Sequence, residues 1–353
     1  MLLLKDKMKC VFSRKNMRRP LIKWIALACG AAAVFFAAGR LFAAPAAVHT
    51  SGEGGDFIKW VDFNVTKEAM QKAMDYDIQT HLEEVHIDWI DLLALCGVKC
   101  GGNFKNFNTA DLDAMAAQLK DGTPISELIT SEKYFQYYKD AYTAVLGGFL
   151  GYYYQKTETG WEEVYGLKGF SPIAKGFGFS HYRDFGNSRS YGFARRHLGN
   201  DLMGSIGTPV VAVESGVVEA IGWNRYGGWR IGIRSFDTQR YYYYAHLRKD
   251  FPYHTGLEEG SVVKAGDVIG YLGMTGYSTK ENVNNINVPH LHFGMQIIFD
   301  ESQKDGNNEI WIDVYDIVEF LQQNRSAVEK DEADKNYNRT IDFTERSLME
   351  YGG

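Results

Sequence analysis

The sequence predicts an α+β protein: an N-terminal membrane segment, a helical region, then an antiparallel β-sheet domain closed by a C-terminal helix. Three observations carry that reading. A strongly basic front runs into a long apolar stretch. Apolar residues then recur at helical spacing as far as about residue 160. Beyond Gly207 the pattern changes to short runs rich in Val, Ile, Tyr and Phe, punctuated by Gly, Asp and Asn. At 353 residues the chain has room for roughly two domains. Its 22 Tyr and 21 Phe are enough to build a large core or to line a groove.

Residues 1–20 form a basic segment, and the charge continues to Lys23: Lys5, Lys7, Lys9, Arg14, Lys15, Arg18, Arg19 and Lys23 face a single acid, Asp6. The apolar segment occupies 21–43. From Leu21 to Phe42 it reaches the roughly 20 residues that cross a bilayer, with Arg40 snorkelling to the far interface. The small residues around Ala43–Ala47 also suit a signal-peptide cleavage site. The anchor is the preferred reading, and under both the basic front stays inside. That gives a single-pass protein of the cytoplasmic membrane with residues 44–353 outside, or a secreted one after cleavage. The whole chain carries a net charge of −6 despite this front, so the exported part is acidic. Acidity there argues against nucleic-acid binding.

Residues 44–56 read as a flexible linker and 57–160 as a helical domain. Thr66 opens a first helix, and Val85–Leu95 suggests a second. Thr109 is a candidate N-cap for a third, which Gly122 stops. A fourth starts near Ser131 and carries Tyr134, Tyr138, Ala141, Val145 and Phe149 on one stripe, with Gly147-Gly148 weakening its end. His81 and His86 have no ligand pattern around them. Cys96 and Cys100 permit a disulfide in a tight loop at an exported location, or two free thiols. A metal site there would need more ligands.

Residues 161–325 form the β domain. Strands are predicted at Pro209–Val213, Gly216–Ile221, Arg230–Arg234, Arg240–Ala245, Val268–Gly273 and Leu291–Phe299. A helix with Val314, Ile317, Val318 and Leu321 on one face closes the domain. Residues 326–353 are a charged tail expected to extend outward or fray. His181 has no partner in the sequence and reads as a surface or packing residue.

Three clusters in this domain carry the chemistry: His197-x-x-x-Asp201, His246 at the end of a tyrosine run, and His290-x-His292. On a strand, His290 and His292 face the same side. Two imidazoles side by side, with an Asp and a third His brought in by neighbouring strands, are what a catalytic zinc site requires.

These pieces also resemble a family. His197–Asp201 (H-x-G-x-D), Gly207–Val210, Tyr244–Leu247, Gly273–Gly276 and His290–Phe293 (H-L-H-F) are similar, in order, to the motifs of lysostaphin/LytM-type zinc endopeptidases of bacterial cell walls. The resemblance covers residues 190–300 and leaves the rest of the chain unexplained. It implies one Zn2+ per chain held by His197, Asp201 and His292, with His246 and His290 as catalytic histidines. It implies peptidoglycan as substrate, cut at the stem or the cross-bridge. The tethered front leaves room for an envelope-protein partner of residues 57–160. It also leaves an alternative, a scaffold or activator of division or sporulation that keeps the fold. The sequence departs from the family's usual spacing at Tyr277–Pro289, an inserted loop that either walls the substrate groove or is simply tolerated.

Overall fold

The computed structural model describes residues 57–190 and 194–351. The basic front, the apolar segment predicted at 21–43 and the linker lie outside them. Among the described residues no helix is long and apolar enough to cross a membrane.

Helix α1 (Lys67–Thr80) starts where the sequence places it, because the Thr66 hydroxyl accepts from the Ala69 amide at 3.4 Å. Helix α2 (Trp89–Cys100) starts at Trp89 rather than Val85, since the cap is Asp88, whose carboxylate accepts from the Asp91 amide at 2.9 Å. It contains Cys96 and Cys100, both free thiols, on a helix and not in a tight loop. Helix α3 (Thr109–Lys120) is capped by Asn108, one residue earlier than expected. A single turn, α4 (Ile125–Leu128), leads into α5 (Glu132–Leu146).

The expected helix beyond 146 is not there. Gly147-Gly148 ends α5, and the β-favouring tyrosines that follow form a hairpin, β1 (Leu150–Thr157) with β2 (Gly160–Leu167). Three short strands lead in: β3 (Ser180–His181), β4 (Ser188–Ser190) and β5 (Ala194–Arg196). The domain continues through β6 (Asn200–Met203), β7 (Pro209–Val211), β8 (Gly216–Asn224), β9 (Gly228–Ser235) and β10 (Arg240–Ala245). It ends with β11 (Val262–Val263), β12 (Val268–Tyr271), β13 (His290–Ile297) and β14 (Ile310–Trp311). The main sheet runs β11-β8-β9-β10-β13-β6-β3, with β14 on β13 and every pairing antiparallel. Helix α6 (Tyr315–Leu321) buries Ile317, Val318 and Leu321, as its apolar stripe predicts.

The tail does not extend outward. Its strands β15 (Val328–Lys330) and β16 (Tyr337–Arg339) pair, and β17 (Phe343–Thr344) adds to β1 before α7 (Arg346–Tyr351). Charge misled the reading, because several charged residues are themselves tied to the domain, Glu345 to Lys168 and Arg339 to Asp267, beside uncharged anchors. Phe343 is buried, and so is Asn336, which accepts from the Tyr271 hydroxyl at 3.0 Å. A single apolar core then runs from Met70 and Leu93 on the helices, through Val145 and Phe149, to Tyr244 and Phe293 on the sheet.

Candidate metal centre

Strand register assembles the site around β13. His292 lies opposite Asp201 of β6 on one side and Ala245 of β10 on the other. His246 is the next residue after β10, so it enters beside the same strand. Its φ of 63° is a left-handed conformation that a histidine adopts only under constraint. The constraint is visible: its amide donates to the Gly227 carbonyl at 2.7 Å, and its Nδ1 lies 2.9 Å from the Thr275 carbonyl oxygen. His197 sits on the turn before β6. The glycine between it and Asp201 is required, because a Cβ on Gly199 would come within 2.7 Å of His292 Nε2.

His197, Asp201 and His292 converge, with one ligand atom from each lying within 4.8 Å of the others. Asp201 Oδ1 is 2.9 Å from His197 Nε2 and 3.0 Å from His292 Nδ1, and those two nitrogens are 2.9 Å apart. Burial disfavours charge on all three. For His197, hydrogen bonds to Asp184 and Asp201 outweigh that burial and hold its pKa up at about 9. Burial likewise opposes ionisation of Asp201, but the surrounding imidazoles pull its carboxyl far below the usual carboxylate range. Burial keeps His292 below its ordinary value. The centre therefore attracts positive charge, and its two nitrogens and one carboxylate oxygen match the donors zinc prefers.

His290 and His246 stand next to this trio, their ring centroids 4.9 Å apart. His290 Nδ1 lies 2.8 Å from the Val288 carbonyl and its Nε2 3.7 Å from Asp201 Oδ1. Each ring thus has Nδ1 committed to a backbone carbonyl. Burial first, then the neighbouring imidazoles, push the pKa of His246 well below 6.5 and keep it neutral. All five predicted residues line one cleft of about 830 Å³.

Sequence reading missed several neighbours. Arg189 Nη2 lies 3.2 Å from Asp201 Oδ2 and 2.9 Å from Asp184 Oδ2. The Arg195 guanidinium lies over the rings of Tyr226 and Tyr277 and bonds the Tyr277 hydroxyl, and the Tyr277 ring stacks on His246 at 5.8 Å. His181 is no surface residue: its ring is held at both nitrogens, by Asn200 at 2.5 Å and Glu319 at 2.6 Å. Nothing in the spacing of Asp184, Arg189 or His181 flags them. Of the inserted loop, only Tyr277 lines the cleft. Asn282 instead ties the loop elsewhere, to Trp229 Nε1 and to Asp250.

An antiparallel sheet presents these five side chains in one cleft, three of them close enough to hold a metal ion. Residues 195–306 match peptidase family M23, so the five-motif resemblance holds over this stretch. The chain is 41% identical over 117 residues to the L-Ala–D-Glu endopeptidase of Bacillus subtilis (strain 168), covering 33% of this chain and 34% of that protein. It is 42% identical over 98 residues to lysostaphin of Staphylococcus simulans, covering 28% of this chain and 17% of that one. The match thus spans about a third of the Bacillus relative's length and less of lysostaphin's. A LytM structure from Ruminococcus gnavus ATCC 29149 covers 79% of this chain and 94% of that one, with a TM-score of 0.51 and 22% identity, a likeness of fold alone.

Proposed function

We propose that the protein is a zinc-dependent endopeptidase that hydrolyses peptide bonds of peptidoglycan outside the cytoplasmic membrane. The observation that carries this reading is the convergence of His197, Asp201 and His292 with His246 and His290 beside them in one cleft. His197, Asp201 and His292 would hold the metal through Nε2, a carboxylate oxygen and Nδ1. Bound zinc supplies Lewis acidity toward water and a peptide carbonyl.

The chain's own groups do the rest. With Nδ1 donating to the Val288 and Thr275 carbonyls, His290 and His246 keep Nε2 free to accept a proton from an attacking water. Once protonated, the same nitrogen can donate toward the oxygen on which charge develops, or return the proton to the departing amine. The depressed pKa of His246 keeps it available as an acceptor at neutral pH. A scaffold role in place of hydrolysis has no support from the site, since all five positions are present and brought together. Membrane anchorage through residues 21–43 remains part of the proposal and rests on their sequence. N-terminal sequencing of the native protein that starts near Ala46 would replace the anchor with a cleaved signal.

Metal analysis of the purified full chain tests the centre. About one zinc per chain is expected in the wild type, and His197→Ala or Asp201→Ala should lose it. Digestion of purified peptidoglycan, with mass analysis of the products, tests the substrate. Full zinc occupancy in both variants would take these residues out of the site, and intact peptidoglycan after treatment with zinc-loaded protein would refute the activity.

A further inference from the structure

Behind the metal centre, on the side away from the cleft, four polar side chains are hydrogen-bonded in a line from Glu319 on helix α6 to Asp184, whose carboxylate lies in ion-pair range of His197. His197 turns Nε2 toward Asp201 and His292, which leaves Nδ1 as the nitrogen that the protein can hold. That Nδ1 lies 3.1 Å from the Asp184 carbonyl oxygen and 3.3 Å from the Asp184 carboxylate. The carboxylate is itself pinned. Its Oδ1 accepts from Asn200 Nδ2 at 2.9 Å, and its Oδ2 from Arg189 at 2.9 Å.

Asn200 is fully buried, and its neighbours fix which way its amide faces. The nitrogen meets the Tyr182 carbonyl at 2.6 Å and the Asp184 carboxylate, both of which can only accept. Its oxygen therefore faces His181 Nδ1, at 2.5 Å, and that nitrogen must donate. The other His181 nitrogen lies 2.6 Å from Glu319 Oε1 on α6, and the ring stacks on Tyr315 with centroids 4.4 Å apart. Strand alternation explains how one short strand serves both sides. Asp201 of β6 faces the cleft, while Asn200 beside it faces the opposite way. Asp184, Asn200, His181 and Glu319 do not line the cleft, so contact with substrate does not account for them.

We propose that Asp184 is a positioning residue for His197, and that Asn200, His181 and Glu319 in turn hold Asp184 in place. The inference rests on the reading of His197 as a metal ligand. Its physical basis is general. A ligating imidazole whose second nitrogen donates to a fixed oxygen has its tautomer and ring angle set before the metal arrives. Loss of that partner typically costs about 10–100-fold in metal affinity. Here the line ends on helix α6, which packs against α1 and stacks Tyr315 on His181, so the orientation of a ligand is referred to the helical layer.

The test is the zinc dissociation constant of the full chain, measured by chelator competition, with thermal unfolding recorded for every variant. Asp184→Asn and His181→Ala should each bind zinc more weakly, by about 10-fold or more. His181→Asn, whose amide nitrogen falls near the place of Nδ1, should bind nearer to wild type than His181→Ala. Asn336→Ala removes a comparably buried amide far from the centre and should leave zinc affinity unchanged. If His181→Ala does not fold, Asp184→Asn decides the matter: wild-type affinity in that variant would overturn the line. Equal weakening in Asn336→Ala would overturn it too, because general destabilisation would then suffice. If Asp184→Asn and His181→Ala both bind as wild type while His197→Ala loses zinc, the line falls and the metal centre stands. If His197→Ala keeps its zinc, both fall together.

Discussion

On strand β10 the side chains of Arg240, Tyr242 and Tyr244 point into the core, whereas Tyr241 and Tyr243 line the cleft. Four consecutive tyrosines thus divide between two environments by strand alternation alone. On the inner face polar atoms are paired within the protein. Arg240 donates Nε to Glu214 at 2.7 Å and Nη2 to the same carboxylate at 3.1 Å, and it also meets Asp237. Its Nη1 reaches the Ala144 carbonyl at 2.8 Å, in the last turn of α5. The Tyr242 hydroxyl completes Glu214 at 2.6 Å, and the Tyr244 hydroxyl accepts from the Val213 amide at 3.0 Å. On the outer face Tyr241 lies flat across Gly232, where a Cβ would come within 1.8 Å of the phenol oxygen. Tyr243 meets Asn224 Nδ2 at 3.1 Å and turns its ring toward His292 at 5.9 Å. Inner polarity joins the helical layer to the sheet, and outer polarity is left facing the space a peptide would occupy.

The largest way to break that contrast is Glu214→Ala. It leaves Arg240 charged, buried and short of its main partner, and losing one member of such a pair costs about 3–5 kcal/mol. Urea denaturation should show that loss, while the protein that remains folded keeps its zinc. An unchanged denaturation midpoint would mean that the cluster does not hold the layers together.

The mirror-image change is His290→Ala. It should keep zinc and the unfolding midpoint, yet lower peptidoglycan hydrolysis by about 100-fold or more, as when a positioned acid–base group is lost. A factor of 100 corresponds to about 2.7 kcal/mol in the barrier, somewhat below the cost at Glu214. His246→Ala should behave alike. The double variant should lose less than the product of the two, because residues acting as a unit are not additive. Wild-type rates in His290→Ala would move the proton chemistry elsewhere in the cleft.

The outer face was far more legible in the sequence than the inner one, for a physical reason. A metal centre built on strands fixes spacing: His290-x-His292 must share a face, and Asp201 must sit opposite His292. Such constraints leave motifs. The Arg240–Glu214 pair needs only that two residues far apart in the chain meet, which no local pattern records. Asp184 reaches the back of His197 from the lead-in, and His181 meets Asn200 from β3, and they were illegible for the same reason. The helices of 57–146 were readable from caps and apolar stripes. The hairpin after Gly147-Gly148 was hidden because Phe149 continued the helical stripe by coincidence. The tail was misread because its charged surface outnumbers the few residues that anchor it, Asn336 and Phe343 among them.

The smallest test is also the sharpest, since it makes the same chemical change on each face. Tyr242→Phe removes a hydroxyl that donates to a buried carboxylate while leaving the ring packed beside Phe293. Hydrogen bonds to charged groups contribute about 1.5–3 kcal/mol, and the low end is expected because Arg240 still holds Glu214. Hydrolysis by Tyr242→Phe should match wild type at temperatures below its own unfolding. Tyr243→Phe removes a hydroxyl that accepts from Asn224 Nδ2 at the cleft, while Asn224 Oδ1 stays held by the Tyr226 and Gly227 amides. Its stability should stay within about 0.5 kcal/mol of wild type, as for changes away from buried networks. Its effect should appear in KM for peptidoglycan instead, because the phenol belongs to the wall of the cleft. Equal losses of stability in the two variants, with KM unmoved in both, would show that strand alternation separates the side chains without separating their roles.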